Sequence, residues 1–528
     1  MKRLFLSAIC LTLLSLALGS QTSNAQQPLT AQELRGKRIY LQGTSQTNKP
    51  ILAYVGEASL ELPGSVMACS NCHGIAGQGK AEGGISASNV TWEALTKPYG
   101  VTHVNGRKHP AYTSRALELA ITRGLDPAGN KLLNTMPRYQ MSKEDLDDLV
   151  VYMKRLGTDV DPGISESKIV IGTAFPAGGP IGELSQVVRE VIAAVFAEVN
   201  SQGGVYSRQL ELKSVASESK SITRADVEKL IKDENVFALT GVMIAGVEKE
   251  IVPLLAEQEV PLIGPLTLDP KTGVPLNRQV FYVLSGTAGQ VRALINFTTQ
   301  KPESKPLTIA VLHSGGELVP SVVEAVQEQN QKEKLAAPQV VEYSTGSFAA
   351  AETVTRLKQA NVNAVFFMGR SVEDLLALMK EAANVNWFPQ IFIQSGTATP
   401  AIFDAPAGFE GKVFCTFPTA PVDQTSDGLK EFRSLGEKYK LPQKHLAAQV
   451  SAFSAAKILV EALKRAGKDL SRERLIQALE GFYNYQTGLT PPITYGPNRR
   501  VGAMGAYIVM VDLKEKKFVP VSGWVGIN

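Results

Sequence analysis

The chain has 528 residues, which is more than one hydrophobic core usually supports, so two or three domains are expected. Its apolar fraction of 44% is ordinary for a globular protein, and no low-complexity tract predicts disorder. The net charge of +4 is small for this length, and no block of lysine and arginine stands out, which argues against a nucleic-acid or anionic-membrane partner.

The first 25 residues have the pattern of a secretory signal peptide. Lys2 and Arg3 precede an apolar stretch over residues 4–18, and the small residues that follow it suit signal peptidase. We expect the mature chain to begin near Gln26. The apolar stretch is short for an uncleaved anchor, and no later segment is long and apolar enough to cross a bilayer. The sequence therefore predicts a periplasmic protein that does not span a membrane once the signal is removed.

Three segments follow the signal, and the first two cover residues 26–157 and 158–167. The first opens on a helical pattern near Thr30–Tyr40 and closes on another over Ser142–Leu156, with Ser142 as a favourable N-cap. Because nothing between them has a convincing strand pattern, this segment is predicted to be an all-α domain. The second segment is rich in Asp, Pro, Gly and Ser and is predicted to be a linker.

Residues 168–528 change character, because short β-branched or apolar runs now alternate with amphipathic helices. Strands are predicted at 169–171, 236–239, 307–312, 364–367 and 391–393, and helices at 187–199, 247–257, 319–327 and 372–383. Alternation of this kind calls for parallel sheets covered on both faces by helices, and the length predicts two lobes. The predicted fold class is therefore multidomain, an all-α domain followed by a two-lobed α/β fold.

The segment Cys69-Ser70-Asn71-Cys72-His73 has the C-x-x-C-H spacing of a c-type haem attachment site. Two thiols at this spacing can add to the two vinyl groups of one porphyrin, and the adjacent imidazole reaches the iron. A thioredoxin-like dithiol would want a preceding strand and a βαβ surround, and a zinc site would need a second Cys/His pair at zinc-finger spacing. The motif therefore predicts one covalently bound haem c.

A haem used for electron transfer also needs a second axial ligand, and Met136 is the first candidate. A thioether in the sixth position raises the reduction potential and keeps the iron six-coordinate, which suits electron transfer rather than oxygen chemistry. Turn residues flank Met136 and predict a loop. Met141 is the alternative thioether, whereas His103 and His109 would give a bis-His haem or lie near a propionate. Cys415, in an apolar run, is predicted to be a small buried strand residue.

The first segment resembles the class I c-type cytochromes found beside periplasmic dehydrogenases. The matching features are the opening helix with Gly36, the C-x-x-C-H motif, the Met136 loop and the closing helix with Tyr152. The resemblance implies that His73 and Met136 are the iron ligands. It also implies that the first and last helices cross closely, with Gly36 permitting the approach and Tyr152 packing against it, and that electrons pass at the haem edge near the thioether bonds.

Residues 168–528 resemble the type I periplasmic binding proteins, in particular the leucine/isoleucine/valine-binding receptors of ABC transporters. The resemblance rests on the opening Ile169–Gly172, the turn Gly203–Val205, the run Val365–Gly369 and the late segment Ile493–Pro497. It implies two α/β lobes that close over a ligand cleft at the carboxyl ends of the strands.

Two positions depart from the amino-acid-binding members of that family. Those proteins offer a hydroxyl-rich loop for the ligand carboxylate, whereas this chain has Met243–Gly246, and their second lobe starts with a Tyr-Gly pair, whereas this chain has Ser314–Glu317. We therefore expect the cleft to take something more apolar, or nothing. The candidate cleft residues each follow a predicted strand end: Pro176, Met243, Ile244, Ala245, Thr267, His313, Arg370, Ser395 and Thr397. Of these, His313 and Arg370 could meet an anion.

The sequence offers no nucleophile–base set, paired carboxylates or phosphate loop, so the chain is predicted not to be an enzyme. The leading hypothesis is an exported mono-haem electron carrier whose second domain docks a redox partner or senses a ligand, with a quinoprotein alcohol dehydrogenase as the donor by association. The second hypothesis is a solute receptor of an ABC-type uptake or sensing system with haem as a redox input. A haem enzyme is the third, and it would require an open iron position.

Overall fold

The computed structural model describes residues 29–527 apart from 48, 80, 83–84, 104–105, 272–275, 300–305, 317, 345–347 and 370. The chain divides into two compact units, unit 1 (Met1–Val160) and unit 2 (Asp161–Asn528). The predicted signal peptide and the candidate cleft residue Arg370 lie outside the described residues.

Unit 1 is built of helices with short strands between them. The helices are α1 (Ala31–Gln42), α2 (Cys69–His73), α3 (Trp92–Leu95), α4 (Ser114–Arg123) and α5 (Lys143–Met153). The strands are β1 (Leu52–Val55), β2 (Leu60–Pro63), β3 (Ala81–Glu82), β4 (Ile85–Ser86), β5 (Val101–Thr102), β6 (Lys108–His109) and β7 (Arg138–Gln140). The helical framework agrees with the prediction, but the strands were not predicted, since two to four residues are too few for an alternating pattern to be recognised.

The small sheet of unit 1 joins distant parts of the sequence. Strands β1 and β2 form an antiparallel hairpin, and β1 also pairs with β7, which gives the order β2-β1-β7. The hairpin lies between α1 and the C-x-x-C-H motif in sequence, and β7 directly follows the Met136 loop. The sheet therefore holds the chain after that loop against the chain before the motif.

Helices α1 and α5 cross closely, as the sequence predicts. A Cβ atom at Gly36 would lie 2.7 Å from the Cβ of Tyr152 and would overlap the backbone carbonyl of Asp148. Arg35 forms a two-pronged ion pair with the Asp148 carboxylate, with distances of 2.6 and 3.1 Å. The predicted N-cap is confirmed, because the Ser142 hydroxyl accepts a hydrogen bond from the backbone of α5.

Two carboxylates in the first half of the predicted linker accept hydrogen bonds. In unit 1, the Asp159 carboxylate accepts a hydrogen bond from the Tyr152 hydroxyl at 3.3 Å and pairs with Lys37 at 3.0 Å. In unit 2, the Asp161 carboxylate accepts the backbone N–H of Arg472 at 2.5 Å. Each carboxylate is thus held within its own unit.

Unit 2 contains two sheets. The first has the order β18-β12-β11-β10-β8-β9 and the second the order β14-β13-β15-β16-β17-β19-β20. The strands are β8 (Lys168–Pro176), β9 (Gln209–Ser217), β10 (Ala238–Thr240), β11 (Leu262–Ile263), β12 (Val280–Leu284), β13 (Ile309–His313), β14 (Gln339–Glu342), β15 (Ala364–Met368), β16 (Gln390–Gln394), β17 (Val413–Phe417), β18 (Val501–Ala503), β19 (Gly505–Asp512) and β20 (Lys517–Gly526). Every pairing in the first sheet is parallel. In the second sheet, β17 with β19 and β19 with β20 pair antiparallel, and the other pairings are parallel.

Helices cover both faces of each sheet, which explains the continuous apolar runs of the strands. They are α6 (Gly179–Ser201), α7 (Arg224–Lys232), α8 (Glu248–Glu257), α9 (Thr287–Thr299), α10 (Val319–Lys332), α11 (Ala350–Gln359), α12 (Val372–Asn384), α13 (Ser426–Tyr439), α14 (Leu446–Ala466) and α15 (Arg472–Glu480). In the second lobe, Ala310 and Leu312 pack with α11 and α12, whereas Ile309 and Val311 pack with α9 and α10. The predicted two-lobed α/β fold is confirmed.

Cys415 lies in β17 and is fully buried, as predicted. The expectation that no segment after the signal is long and apolar enough to cross a bilayer is wrong for helix α14, which alone among the helices of the described chain meets both criteria. Because 61% of that apolar window is buried inside the protein, α14 has the surroundings of a core helix.

The chain passes between the two lobes of unit 2 three times, and side chains link these crossings. The hydroxyl of Ser285, after β12, donates to the carbonyl of Gly505 at 2.5 Å and accepts its N–H at 3.1 Å. The Tyr507 hydroxyl donates to the carboxylate of Asp423, which lies between β17 and α13. These contacts place the hinge between the lobes at the ends of β12, β17 and β18.

The close crossing of α1 and α5 predicts a specific cost for Gly36→Ala. Because the new methyl group would overlap backbone atoms, we expect the free energy of unfolding of unit 1 to fall by about 2 kcal/mol. The matched control is Gly436→Ala in α13, where a Cβ meets no atom within 4 Å. That change should leave stability unchanged or raise it by about 0.5–1 kcal/mol. Urea unfolding followed by circular dichroism measures both, and equal effects would contradict the close crossing.

Candidate functional site

The C-x-x-C-H motif forms the short helix α2, and tyrosine hydroxyls hold the chain at both of its ends. Tyr139 donates to the carbonyl of Met67 at 2.6 Å, and Tyr40 donates to the carbonyl of Gly74 at 2.8 Å. Burial raises the pKa of both tyrosines, so each remains a neutral donor at physiological pH. The motif is therefore presented by fixed backbone rather than by a free loop.

His73 is prepared to bind a metal through one defined nitrogen. Its Nδ1 lies 2.8 Å from the carbonyl oxygen of Ser88, and a carbonyl can only accept, so Nδ1 carries the proton. Burial lowers the pKa of His73, which keeps the imidazole neutral at physiological pH. The lone pair of Nε2 is therefore available to a metal, and the Ser88 carbonyl is the kind of partner that orients metal-bound histidines.

The two cysteines of the motif are one helical turn apart and unpaired. Cys69 is half-buried and Cys72 is exposed, and residues at i and i+3 share one face of a helix. Burial raises the pKa of the Cys69 thiol to about 11, so it is a neutral thiol at physiological pH. A redox-active dithiol needs the opposite shift, because the thiolate is its nucleophile. These thiols fit covalent attachment better than disulfide exchange.

The donor set suits haem rather than a bare metal ion. No group of three or more His, Cys, Asp or Glu side chains that could hold an ion occurs among the residues that the structure describes. A zinc site would need three or four such ligands. One neutral imidazole beside two thiols instead matches haem c, whose porphyrin itself supplies four nitrogen ligands.

Met136 belongs to a loop that returns to the motif. The hydroxyl of Tyr139, three residues later, donates to the carbonyl of Met67, two residues before Cys69, so this part of the chain lies beside α2. Met136 is half-buried, and the alternative thioether, Met141, packs against the apolar core of unit 1. The surroundings of the two methionines therefore favour Met136 as an iron ligand and Met141 as a packing residue.

His103 and His109 contact each other across the β5–β6 hairpin. Their Nε2 atoms are 3.0 Å apart, and Nδ1 of His109 lies 2.8 Å from the Pro110 carbonyl. Arg107 lies 2.9 Å from Nε2 of His103 and pairs with Asp126 at 2.6 Å. Either histidine would have to leave this pair to bind iron, so the bis-His alternative loses support.

On the first lobe, several candidate cleft residues come together at the carboxyl edge of the sheet. Pro176 ends β8, and a β-bridge joins Met243 to the residue before Thr267. Ala245 is exposed, but Ile244 is fully buried in the lobe core, so the Ile244 side chain does not face the cleft. These positions follow strand ends because parallel strands deliver their carboxyl ends to one edge.

The hydroxyl of Thr267 is already engaged inside the first lobe. It donates to the carboxylate of Glu248 and accepts the backbone N–H of Asp269 at 2.8 Å. Glu248 also accepts the N–H of Gly246 at 3.0 Å. A ligand carboxylate would therefore find neither a free hydroxyl at Thr267 nor any hydroxyl in the Met243–Gly246 loop.

On the second lobe, the candidate residues also lie at the carboxyl edge. His313 ends β13 and is buried, and its Nδ1 accepts the N–H of Gly315 at 3.2 Å. Ser395 is exposed and Thr397 half-buried in a single 3₁₀ turn after β16. Arg370 belongs to the part of the chain that the structure does not describe, so the expected His313–Arg370 pair stays a prediction.

A pocket of about 560 Å³ lies away from these residues, between α6, α13 and α14 on the first lobe. Four of its charged side chains pair with each other, Lys438 with Glu198 and Lys457 with Glu431, both at 2.6 Å. Paired charges leave few groups to recognise a ligand.

Comparison with known proteins identifies both units. The periplasmic binding protein family matches residues 168–517, about two thirds of the chain. The chain belongs to the periplasmic binding protein family. The cytochrome c family matches residues 65–157, so this binding protein carries a cytochrome c domain in front of its two lobes. Both resemblances seen in the sequence are confirmed.

Individual relatives of this binding protein are distant. The Leu/Ile/Val-binding protein homolog 3 of Brucella melitensis biotype 1 is 20% identical over 205 residues, which are 39% of this chain and just over half (55%) of that protein. A branched-chain amino acid ABC transporter structure from Thermus thermophilus with bound valine aligns with a TM-score of 0.51 at 18% identity, over 69% of this chain and 98% of that one. A fatty acid ABC transporter substrate-binding protein from Thermomonospora curvata aligns with a TM-score of 0.51 at 18% identity, over 70% of this chain and 95% of that one. Such likeness shows the fold alone.

Sequence reasoning missed residues that act through the backbone. The partner of His73 is the carbonyl of Ser88, which any residue would provide, so no sequence signal could reveal it. The Leu52–Pro63 hairpin was also missed, although Gly56 at its turn between apolar runs was a usable signal. The roles of the Arg138 and Tyr139 side chains were also missed.

Proposed function

We propose that this protein is an exported mono-haem c-type cytochrome that carries electrons and whose binding-protein lobes recognise a ligand or a redox partner. The observation that carries the proposal is the state of His73, a half-buried, neutral imidazole whose Nδ1 is held by the Ser88 carbonyl. Its free Nε2 stands on the same short helix as two unpaired cysteines. This is the arrangement that c-type haem requires.

In this proposal Cys69 and Cys72 hold the haem through thioether bonds, and His73 and Met136 bind its iron. The bound haem would supply one-electron transfer by cycling its iron between ferric and ferrous states. Residues of the chain hold the ligands and leave Cys72 at the surface. Two protein ligands leave no open position on the iron, so we propose that the protein is an electron carrier and not an enzyme.

We place the protein in the periplasm after removal of residues 1–25, with the domains at 26–157 and 168–528 around the segment 158–167. Haem c is attached in that compartment, and the binding-protein relatives are of a periplasmic family. A periplasmic dehydrogenase, such as a quinoprotein alcohol dehydrogenase, is the proposed electron donor, and it follows by association from the pairing of the two families.

For the cleft, we propose a ligand more apolar than an amino acid. The support is the engagement of the Thr267 hydroxyl by Glu248 and the lack of any hydroxyl in the loop at Met243. The alternative, a solute receptor of an ABC-type system with haem as a redox input, is favoured by the ABC transporter proteins that share the fold. The two proposals differ in whether the ligand is delivered to a transporter.

Replacing Met136 tests the axial ligand. Met136→Ala should abolish the Met-to-iron charge-transfer band of the oxidised protein and lower the reduction potential, because a thioether favours ferrous iron. The matched control is Met141→Ala, which removes a packing residue and should retain the band. A Met136→Ala protein with an unchanged spectrum would refute the assignment.

Replacing the motif cysteines tests covalent attachment. The double variant Cys69→Ala/Cys72→Ala should lose haem on a denaturing gel, because no thioether bond remains. Cys415→Ala removes a buried thiol of unit 2 and should keep haem-stained protein at the wild-type level. Haem that survives denaturation in the double variant would show that the attachment lies elsewhere.

Thermal shift with the full chain tests the cleft. Leucine, isoleucine and valine should give no rise in melting temperature, whereas an apolar acid, alcohol or aldehyde that binds should raise it by several degrees, since ligand at a hundredfold Kd stabilises by about 2.7 kcal/mol. The control is Met243→Arg, which should cancel any genuine rise. A rise with leucine that Met243→Arg removes would contradict the proposed ligand class.

A further inference from the structure

Arg138 wraps the loop that carries Met136. The residue begins β7, and its guanidinium turns back over the chain that precedes it. One terminal nitrogen donates to the carbonyls of Leu132 at 3.0 Å and Leu133 at 3.3 Å, and the other donates to the carbonyl of Met136 itself. A single rigid fork thus joins the start of the loop to the methionine.

The fold provides a fitted space for this side chain. Gly124 ends α4 with φ of +65°, and a Cβ atom there would overlap the guanidinium of Arg138. The N–H of Leu132 donates to the carbonyl of Gly124 at 2.8 Å, which holds the beginning of the loop beside the same site. Burial lowers the pKa of Arg138, but a guanidinium remains charged in proteins. The charge is therefore half-buried, and within the described chain its hydrogen-bond partners are backbone carbonyls.

The β1–β2 hairpin secures the loop from the other side. The N–H of Gly56, at the hairpin turn, donates to the carbonyl of Asn134 at 3.1 Å. In the β1–β7 ladder, Tyr54 lies opposite Arg138 and Ala53 opposite Tyr139. The hairpin therefore holds the backbone of Arg138, and the guanidinium of Arg138 holds the backbone of Met136.

We propose that Arg138 is a positioning residue that keeps the Met136 thioether on the haem iron, an inference that rests on the proposed haem function. Three carbonyls must move together before the methionine can leave, and each would give up a charge-assisted hydrogen bond. The half-buried positive charge next to an iron ligand also disfavours the ferric state and raises the reduction potential. We call the hydrogen bonds from Arg138 to these three carbonyls the clamp. The clamp makes the haem of unit 1 resistant to exchange of its methionine ligand, which an electron carrier needs and an oxygen-activating haem protein avoids.

The test is competition by imidazole for the sixth position of the oxidised full-length protein, followed by loss of the Met-to-iron band. Arg138→Gln should lower the apparent imidazole Kd about ten- to hundredfold, because the Met-bound state loses hydrogen bonds to a charged group. Its reduction potential should fall as well. Arg138→Lys keeps the charge but not the fork, so its potential should stay closer to wild type while its imidazole Kd still falls.

Two further variants separate the clamp from general effects. Arg115→Gln removes an arginine of the same unit that is exposed and paired only with Glu118, three residues away, and should leave the imidazole Kd unchanged. Gly124→Ala leaves Arg138 in the sequence but fills the space of its guanidinium, so it should lower the apparent imidazole Kd as Arg138→Gln does. It also serves if Arg138→Gln fails to accumulate.

The outcomes distinguish this inference from the function on which it depends. If Met136→Ala leaves the spectrum unchanged, Met136 is not the ligand and the clamp falls with it. If Met136→Ala removes the band but Arg138→Lys and Gly124→Ala bind imidazole as the wild type does, the ligand assignment stands and the clamp is overturned.

Discussion

The hydrogen bond between Nδ1 of His73 and the carbonyl of Ser88 is the interaction on which the chemistry of unit 1 depends. It selects the tautomer with a free Nε2, and burial keeps the ring neutral. The bond exists only if α2 and the chain near Ser88 are both held, and the hydroxyls of Tyr40 and Tyr139 hold α2. Those tyrosines in turn depend on the close crossing of α1 with α5 and on the pairing of β7 with β1.

Unit 2 obeys a different constraint, because parallel strands bring their carboxyl ends to one edge of each sheet. That rule collects Met243 and Thr267 on one lobe and His313 and Ser395 on the other. What the edge can bind depends on the hydrogen bonds already made there. The hydrogen bond from Thr267 to Glu248 occupies a hydroxyl that a ligand carboxylate could use. The Met243–Gly246 loop offers no hydroxyl, so the proposed ligand is more apolar than an amino acid.

Much of this arrangement could be predicted from the sequence. The strand–helix alternation predicted the two-lobed fold, and Gly36 opposite Tyr152 marked the close crossing of α1 and α5; the fold confirms both. The C-x-x-C-H spacing pointed to a cytochrome c domain, which the family match confirms, while the haem attachment itself stays a prediction. The strands of unit 1 were missed because they are too short to show a period. We missed the Ser88 carbonyl and the three carbonyls that accept from Arg138, because backbone acceptors do not depend on the identity of the side chain. The burial of Ile244 could not be predicted from its position after a strand, because that position does not fix where the side chain points.

The central claim is that unit 1 encloses a six-coordinate haem between His73 and Met136 and uses it to carry electrons. Its most direct test is to add carbon monoxide to the reduced full-length protein and record the absorption spectrum. Carbon monoxide binds ferrous haem only where a coordination position is open or easily vacated. A haem iron held by both His73 and Met136 should show no spectral change. A carbon monoxide spectrum that saturates at one equivalent per chain would contradict it and would point to a haem that binds small molecules.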